Sequence, residues 1–509
     1  MNAFRLPVIG FALVLAAAQT AAQQATPRDT LEPLITAVVT HHAIELNGAD
    51  VHYTATVGEK VLADAKGTPL ATMFSTAYVR EGIADPSKRP VLFAFNGGPG
   101  ASSLPLHFGV LGPRRRLRHL DSTGARMMVD NAYSVLDDVD LVLVDPVGTG
   151  FSRVLPDGDG TSFWGVNGDA RAMLGFIRDW LRDNGRAASP VYICGESYGG
   201  FRIATMMRDV GGLRIAGLIL ISPMLDASAT AEVVGNDLPH IFALPSMAAA
   251  AWHHQRVNRG GRSVERVYDD AAAFAQGEYA LALLKGTRLA APERDRIAAR
   301  MSAFIGLPAK AIAAADLRVN TEQFLTGLLA DKGLRVGRLD ARATGNAKEL
   351  ATKRPPMNDP SMSVTNGNDN PIDLYFHRDL HVASPREYVG LALDVNAKWN
   401  WSHDSTDDNP FYSNPTANIG AAMAKQPDMR VMLVGGYFDL ATPYLAARYA
   451  LDHGGVPPDR VTIAAFPGGH SMYDDESNLK QAVADIRRFL NGARAVNGRV
   501  GRGHAGGAL

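Results

Sequence analysis

The stretch VYICGESYGG (residues 191–200) decides the fold. A short β-prone apolar run, Val191 to Cys194, follows Pro190 and stops at Gly195; FRIATMMRDV (201–210) then reads as the first turns of a helix. Gly195, Ser197 and Gly199 fit the pattern G-x-S-x-G. In a chain where 50 of 509 residues are glycine, that pattern alone says little. Its context carries the meaning: a strand before, a helix after, and the serine on the strained turn between them. The two glycines let the backbone turn sharply without a Cβ in the way. Both flanks are present, so Ser197 reads as a nucleophile rather than one more surface serine.

Outward from this turn, the same arrangement recurs. RPVLFAFNGGPG (89–100) and DVDLVLVDPVGTGFS (138–152) are continuous apolar runs ending in Gly-rich loops. GDARAMLGFIRDWLRDNG (168–185) is an amphipathic helix, and LRIAGLILISPMLD (213–226) is another buried strand. Near the start, residues 41–64 and 68–79 alternate as antiparallel strands, with Asn47-Gly48 as a turn. Wholly apolar strands alternating with helices predict an α/β domain, its mostly parallel central sheet covered by helices on both faces. Ligands bind such sheets at the carboxyl ends of the strands, where the Gly-rich loops emerge.

The composition changes between residues 227 and 386, where Ala, Arg and Asp accumulate and segments such as 246–257 and 293–305 read as helices. Strand patterns return at MRVMLVGGYFD (429–439) and DRVTIAAFPGGH (459–470), and SNLKQAVADIRRFL (477–490) closes the fold as an amphipathic helix. The expected organisation is a core in two parts, 30–226 and 387–492, interrupted by a helical insertion (227–386) that caps the site. A Gly-rich tail, 493–509, is expected to be disordered. No internal repeat is present.

At the N-terminus, Arg5 precedes the apolar run LPVIGFALVLAAA and small residues follow, the pattern of a secretory signal over residues 1–22. That run is too short to span a membrane, and no later segment is apolar and long enough to do so. An exported protein, periplasmic or secreted, is expected. Cys194 is the single cysteine, so no intramolecular disulfide forms, and its place in the strand marks it as a small buried hydrophobe. With 51 Lys and Arg against 52 Asp and Glu, no basic excess points to nucleic acid.

A nucleophilic serine needs a base, and the base needs an orienting acid; in this architecture they follow in the order Ser, acid, His. His470 stands after a strand and the loop Pro467-Gly468-Gly469, just before the last helix. Asp439 ends the preceding strand. Asp145 also ends a strand but lies upstream of the serine, which suits a bracing role in its loop. His377 and His381 are four apart, but no H-E-x-x-H pattern accompanies them, so the metal reading is set aside. By elbow geometry the amide of Tyr198 is one oxyanion donor; the second is expected from the loop NGGPGASS (96–103).

Together NGGPGASS, DPVGTGFS, GESYGG, GGYFDLATP and PGGHSMY, in this order, resemble the serine carboxypeptidases over roughly residues 40–490. The resemblance implies an α/β-hydrolase fold, an enzyme that removes single residues from peptide C-termini at acidic pH, and no metal or organic cofactor. It implies Ser197, Asp439 and His470 as the catalytic triad, Gly98 and Tyr198 as the oxyanion amides, and Asn96, Gly97 and Glu196 as the group that binds the substrate carboxylate. The chain departs from many eukaryotic members at Ala101, where they carry cysteine, at Phe95, where tryptophan is frequent, and at Ser471, where some have an acidic residue. A disulfide-free, bacterial-type member is expected.

Glu196 makes physical sense in that role only if it shares a proton with the substrate carboxylate, because two ionised carboxylates in contact repel. The expected pH profile is a bell in the acid range, with Glu196 setting the alkaline limit. The same triad would also serve an esterase or an acyltransferase, although Asn96 with Glu196 favours peptides with a free C-terminus. A silent binding protein on the same fold fits poorly with a complete set of nucleophile, base, acid and donors.

Overall fold

The computed structural model describes residues 33–120, 126–362, 371–402 and 414–492. The proposed leader (1–22) and the tail (493–509) lie outside the described residues.

Nine strands run across the central sheet: β1 (Val38–Leu46), β2 (Ala49–Ala63), β3 (Pro69–Arg80), β4 (Val91–Phe95), β5 (Asp140–Val144), β6 (Val191–Glu196), β7 (Ile215–Ile221), β8 (Arg430–Gly436) and β9 (Val461–Phe466). Their order is β1-β2-β3-β5-β4-β6-β7-β8-β9, and the short strand Arg153–Val154 pairs with β3. The first three pair antiparallel, as does β3 with β5; every pairing from β5 to β9 is parallel. Asn47 and Gly48 both have positive φ (52° and 79°), which gives the tight turn between β1 and β2 the twist a hairpin requires. This is the α/β-hydrolase fold.

Side-chain alternation explains why β6 is apolar throughout. Tyr192 and Cys194 pack on one face with Ile486 and Phe489 of the last helix, α3 (Glu476–Leu490). Val191 and Ile193 pack on the other with Met173 and Ile177 of α1 (Val166–Asp183). A strand sandwiched in this way has no solvent face to encode. Cys194 is fully buried, the small core residue its position suggested.

Helices dominate residues 227–386, among them Leu238–His253 and Ala291–Ile305, and their buried residues join the core on the α1 face of the sheet. Two short hairpins were not read from the sequence: Leu334–Val336 with Thr344–Asn346, and Arg114–Leu120 with Arg126–Asp130. Among the described residues, no helix is long and apolar enough to cross a membrane.

Candidate active site

Ser197 sits between β6 and α2 (Tyr198–Met206) with φ 61° and ψ −127°. That conformation strains a residue with a Cβ. The elbow is pinned by the Ser197 amide, which donates to the Ile221 carbonyl (3.0 Å), and by its carbonyl, which accepts from Gly200 (2.9 Å) and Met224 (3.0 Å). Gly97 packs against this turn so closely that a Cβ there would overlap the amide nitrogens of Tyr198 and Gly199. Only glycine lets the 96–103 loop lie over the helix start, where the first amides have no intrahelical acceptor. Gly98 and Tyr198 both line the cavity above Ser197, and among the described residues neither amide donates to another backbone carbonyl.

The Gly-rich ends of β8 and β9 bring Asp439 and His470 to the same cavity wall. His470 Nδ1 lies 2.8 Å from Asp439 Oδ2. Asp439 is buried, and its other oxygen accepts from the amides of Ala441 (2.8 Å) and Thr442 (3.0 Å). The Thr442 hydroxyl lies 2.7 Å from Asp439 Oδ2 and 2.9 Å from the Ser222 carbonyl. Ser222 in turn donates its hydroxyl to the His470 carbonyl (2.6 Å). A Cβ on Gly436 would overlap the carbonyls of Gly468 and Gly469, so this glycine lets the histidine loop close against β8. The Ser197 hydroxyl makes no hydrogen bond among the described residues and opens on the cavity that His470 also lines; such pairings tighten when substrate binds.

Glu196 is 2% exposed. Its Oε2 accepts from Asn96 Nδ2 (2.8 Å) and from the Tyr473 hydroxyl (2.6 Å), and its Oε1 from the Ser471 hydroxyl (3.1 Å). Asn96 is oriented for this by its Oδ1, which accepts the Leu106 amide (3.1 Å). Burial raises the Glu196 carboxyl above the ordinary range, although His470 and the three donors all favour the ion. For His470, burial works against the cation, but the charge and hydrogen bond of Asp439, with Glu196 behind it, hold the imidazole above 6.5. Asn96, Gly97, Gly98, Glu196, Ser197, Tyr198 and His470 all border one cavity of about 830 Å³, and Asp439 lies directly behind His470.

Several neighbours carried no sequence signal. Residues 338–341, from the helical region, bond to the loops that carry Asp439 and His470: Ala341 donates to the Phe438 carbonyl (3.0 Å), Leu440 to that of Arg338 (3.0 Å), and His470 to that of Leu339 (2.6 Å). Thr442, Ser222 and Tyr473 are common residue types that only the fold collects. The Ser471 hydroxyl reaches Glu196.

The 96–103 loop is held by backbone pairing: Ala101 makes a β-bridge with Leu391, and Ser102 donates its amide to the Gly390 carbonyl (3.0 Å). Asp145 braces the loop: its Oδ1 accepts the amide and hydroxyl of Ser103 (2.8 and 2.7 Å) and the Tyr388 hydroxyl (3.0 Å). Behind the loop, Arg202 is fully buried over the Phe95 ring and donates to the Asn96 carbonyl (2.6 Å) and to Asp169 (2.6 Å). His377 turns to the Val382 carbonyl (2.7 Å), away from any shared ligand set with His381. Among the described residues, no three His, Cys, Asp or Glu side chains converge as a metal would require.

Residues 72–212 match the serine carboxypeptidase family model. Serine carboxypeptidase-like 9 of Arabidopsis thaliana is 26% identical over 159 residues, 31% of this chain and 35% of that protein. Serine-type carboxypeptidase F of Aspergillus niger is 35% identical over 106 residues, covering 21% of this chain and 18% of that one. The chain thus spans about a third or less of the length of these relatives. A prohormone-processing carboxypeptidase of Saccharomyces cerevisiae superposes with a TM-score of 0.50 at 14% identity, over 85% of this chain and 91% of that one, a likeness of fold. The matched segment carries the elbow, Asn96 and Glu196, and in that segment the chain is similar to the serine carboxypeptidases.

Proposed function

We propose that the protein is an exported serine carboxypeptidase that releases C-terminal residues from peptides. One observation carries this reading: a buried carboxyl, Glu196, sits beside Ser197 with Asn96, Ser471 and Tyr473 arrayed on it, on the cavity that also holds His470. A general esterase has no use for a protonated carboxyl beside its nucleophile; an enzyme that grips a free C-terminus does.

In this reading the peptide carboxylate binds at Asn96, Gly97 and Glu196, sharing the Glu196 proton. Ser197 attacks the last peptide carbonyl while His470 Nε2 takes the hydroxyl proton, and Asp439 holds Nδ1–H and balances the imidazolium. The amides of Gly98 and Tyr198 stabilise the oxyanion. His470 returns the proton to the leaving amine, the C–N bond breaks, and water activated by the same imidazole hydrolyses the acyl-enzyme. Neither metal nor organic cofactor takes part. The segment 227–386 caps the cavity, and the leader-like composition of residues 1–22 supports export to a periplasm or the exterior.

Activity requires Glu196 protonated and His470 neutral, so the profile is a bell with His470 setting its acid limb and Glu196 its alkaline limb; an optimum on the acid side is what the family resemblance implies. The test compares a blocked dipeptide with its C-terminal amide between pH 4 and 8, for wild type and Ser197→Ala. The expected result is cleavage of the free acid alone, fading at alkaline pH, and loss of on the order of a millionfold in turnover in the variant. Equal cleavage of acid and amide, or reaction with esters only, would replace this reading with a general acyl hydrolase or acyltransferase.

A further inference from the structure

The charges around the cavity do not balance. Arg338 lines it, is exposed, and its guanidinium has no hydrogen bond or ion pair among the described residues. The neighbouring carboxylates are engaged elsewhere. Asp340 is held by Arg342 through Nε (2.9 Å) and Nη2 (2.7 Å), Asp474 has its own partner, and Glu196 is buried among its donors. Arg116, the other arginine on this cavity, is also engaged.

Arg338 is nonetheless fixed in place. Its amide donates to both oxygens of Asp359 (3.1 Å each), and its carbonyl accepts from Leu440, next to Asp439. The following residue, Leu339, accepts the His470 amide. The backbone that carries the cation is therefore held beside the base, and the field of the guanidinium reaches the imidazole, where it disfavours the imidazolium. A lone cation there opposes the proton transfer that Asp439 assists. A ligand anion would cancel that opposition and complete an ion pair in a cavity that binding closes to water.

We propose that Arg338 is a specificity residue that receives an acidic side chain, Asp or Glu, on a residue flanking the scissile bond of the peptide. This rests on the carboxypeptidase reading above. An arginine fits a carboxylate with two parallel N–H···O bonds, and the gain on a surface that becomes shielded on binding is roughly tenfold. An uncompensated rim cation that serves only solubility would give no such discrimination.

The experiment measures kcat/KM for blocked dipeptides that differ only by Glu or Gln, placed in turn at each of the two positions. Wild type, Arg338→Gln, Arg338→Lys and Arg338→Glu are compared. In wild type one position is expected to favour Glu by about tenfold, with the preference shrinking as salt is raised. Arg338→Gln should erase the preference, Arg338→Lys retain part of it, and Arg338→Glu turn it towards Lys in place of Glu. A Glu/Gln ratio within twofold at both positions, or a Glu preference that survives in Arg338→Gln, overturns the proposal.

C-terminal amides of the same peptides keep the two readings apart. Cleavage of acid and amide alike with a Glu preference that depends on Arg338 sinks the carboxypeptidase reading and leaves Arg338's role standing. Strict free-acid cleavage with no Glu preference does the reverse. No cleavage of any peptide overturns both.

Discussion

Replacing Glu196 with Gln separates what this carboxyl does as an acid from what it does as a shape. The site tolerates the swap. The amide oxygen can take the Oε2 position, where Asn96 (2.8 Å) and Tyr473 (2.6 Å) donate, and the NH2 can take the Oε1 position, where the Ser471 hydroxyl (3.1 Å) can turn to accept. In the proposed reading, below its raised pKa, the wild-type acid donates a short O–H···O⁻ bond to the peptide carboxylate; the variant offers a neutral N–H instead. That difference is about 1 kcal/mol, so kcat/KM should fall roughly fivefold.

Above its pKa, raised by burial, wild-type Glu196 must either take up a proton to bind substrate, at a cost of about 1.4 kcal/mol per pH unit, or meet the peptide carboxylate as an ion. Two charges about 4 Å apart repel by about 4 kcal/mol at an effective dielectric of 20. KM of wild type should therefore climb about tenfold per pH unit on the alkaline side, while that of Glu196→Gln stays flat and the two profiles cross. Steady-state kinetics on a free-acid dipeptide from pH 4 to 8 reads both effects. If the variant keeps the wild-type alkaline rise in KM, Glu196 is not the group that meets the substrate carboxylate.

Two further outcomes follow from buried or strained positions. Ser197→Gly and Ser197→Ala both remove the hydroxyl, but only alanine keeps a Cβ at φ 61°; the glycine variant should be the more stable by ~1 kcal/mol in chemical denaturation, both being inactive. Equal stabilities would mean the elbow is not strained. Burial pushes Asp145 from 3.8 up to about 6, so the folded chain binds its proton more tightly than the unfolded chain. The stability this contributes is complete below about pH 4 and is lost as pH rises through about 6. Asp145→Asn stays neutral and keeps an oxygen for Ser103 and Tyr388. Its stability relative to wild type should therefore rise between pH 4 and 7 by on the order of 3 kcal/mol. A difference that does not change with pH in thermal unfolding would remove Asp145 as the source.

How much of this molecule can be read from its chain follows from where each constraint lies. A strand buried on both faces must be apolar throughout, so β4 to β8 announce themselves, and a turn that strains a serine between strand and helix must be spelled with glycines on either side. The strand-end positions of Asp439 and His470 follow from the same parallel order. These are local constraints, and local sequence records them. The hairpin at Leu334–Val336 and Thr344–Asn346 is three residues to a strand, too short for alternation to register.

The remaining contacts join segments far apart in the chain. The carbonyl of Leu339 meets the amide of His470 across more than a hundred residues, and the Ser471 and Tyr473 hydroxyls meet Glu196 across nearly three hundred. Nothing in a leucine, a serine or a tyrosine encodes its partner, because any residue supplies a carbonyl and many supply a hydroxyl. The unpaired charge of Arg338 is likewise a property of its surroundings: an arginine in sequence has every acidic residue as a possible partner, and only packing decides that its neighbours' carboxylates are held by others. The chain by itself determined the sheet and the elbow and offered Asp439 and His470 as partners for Ser197, while the tertiary structure alone decided what surrounds them, since hydrogen-bond donors and charges acquire their role from position rather than from type.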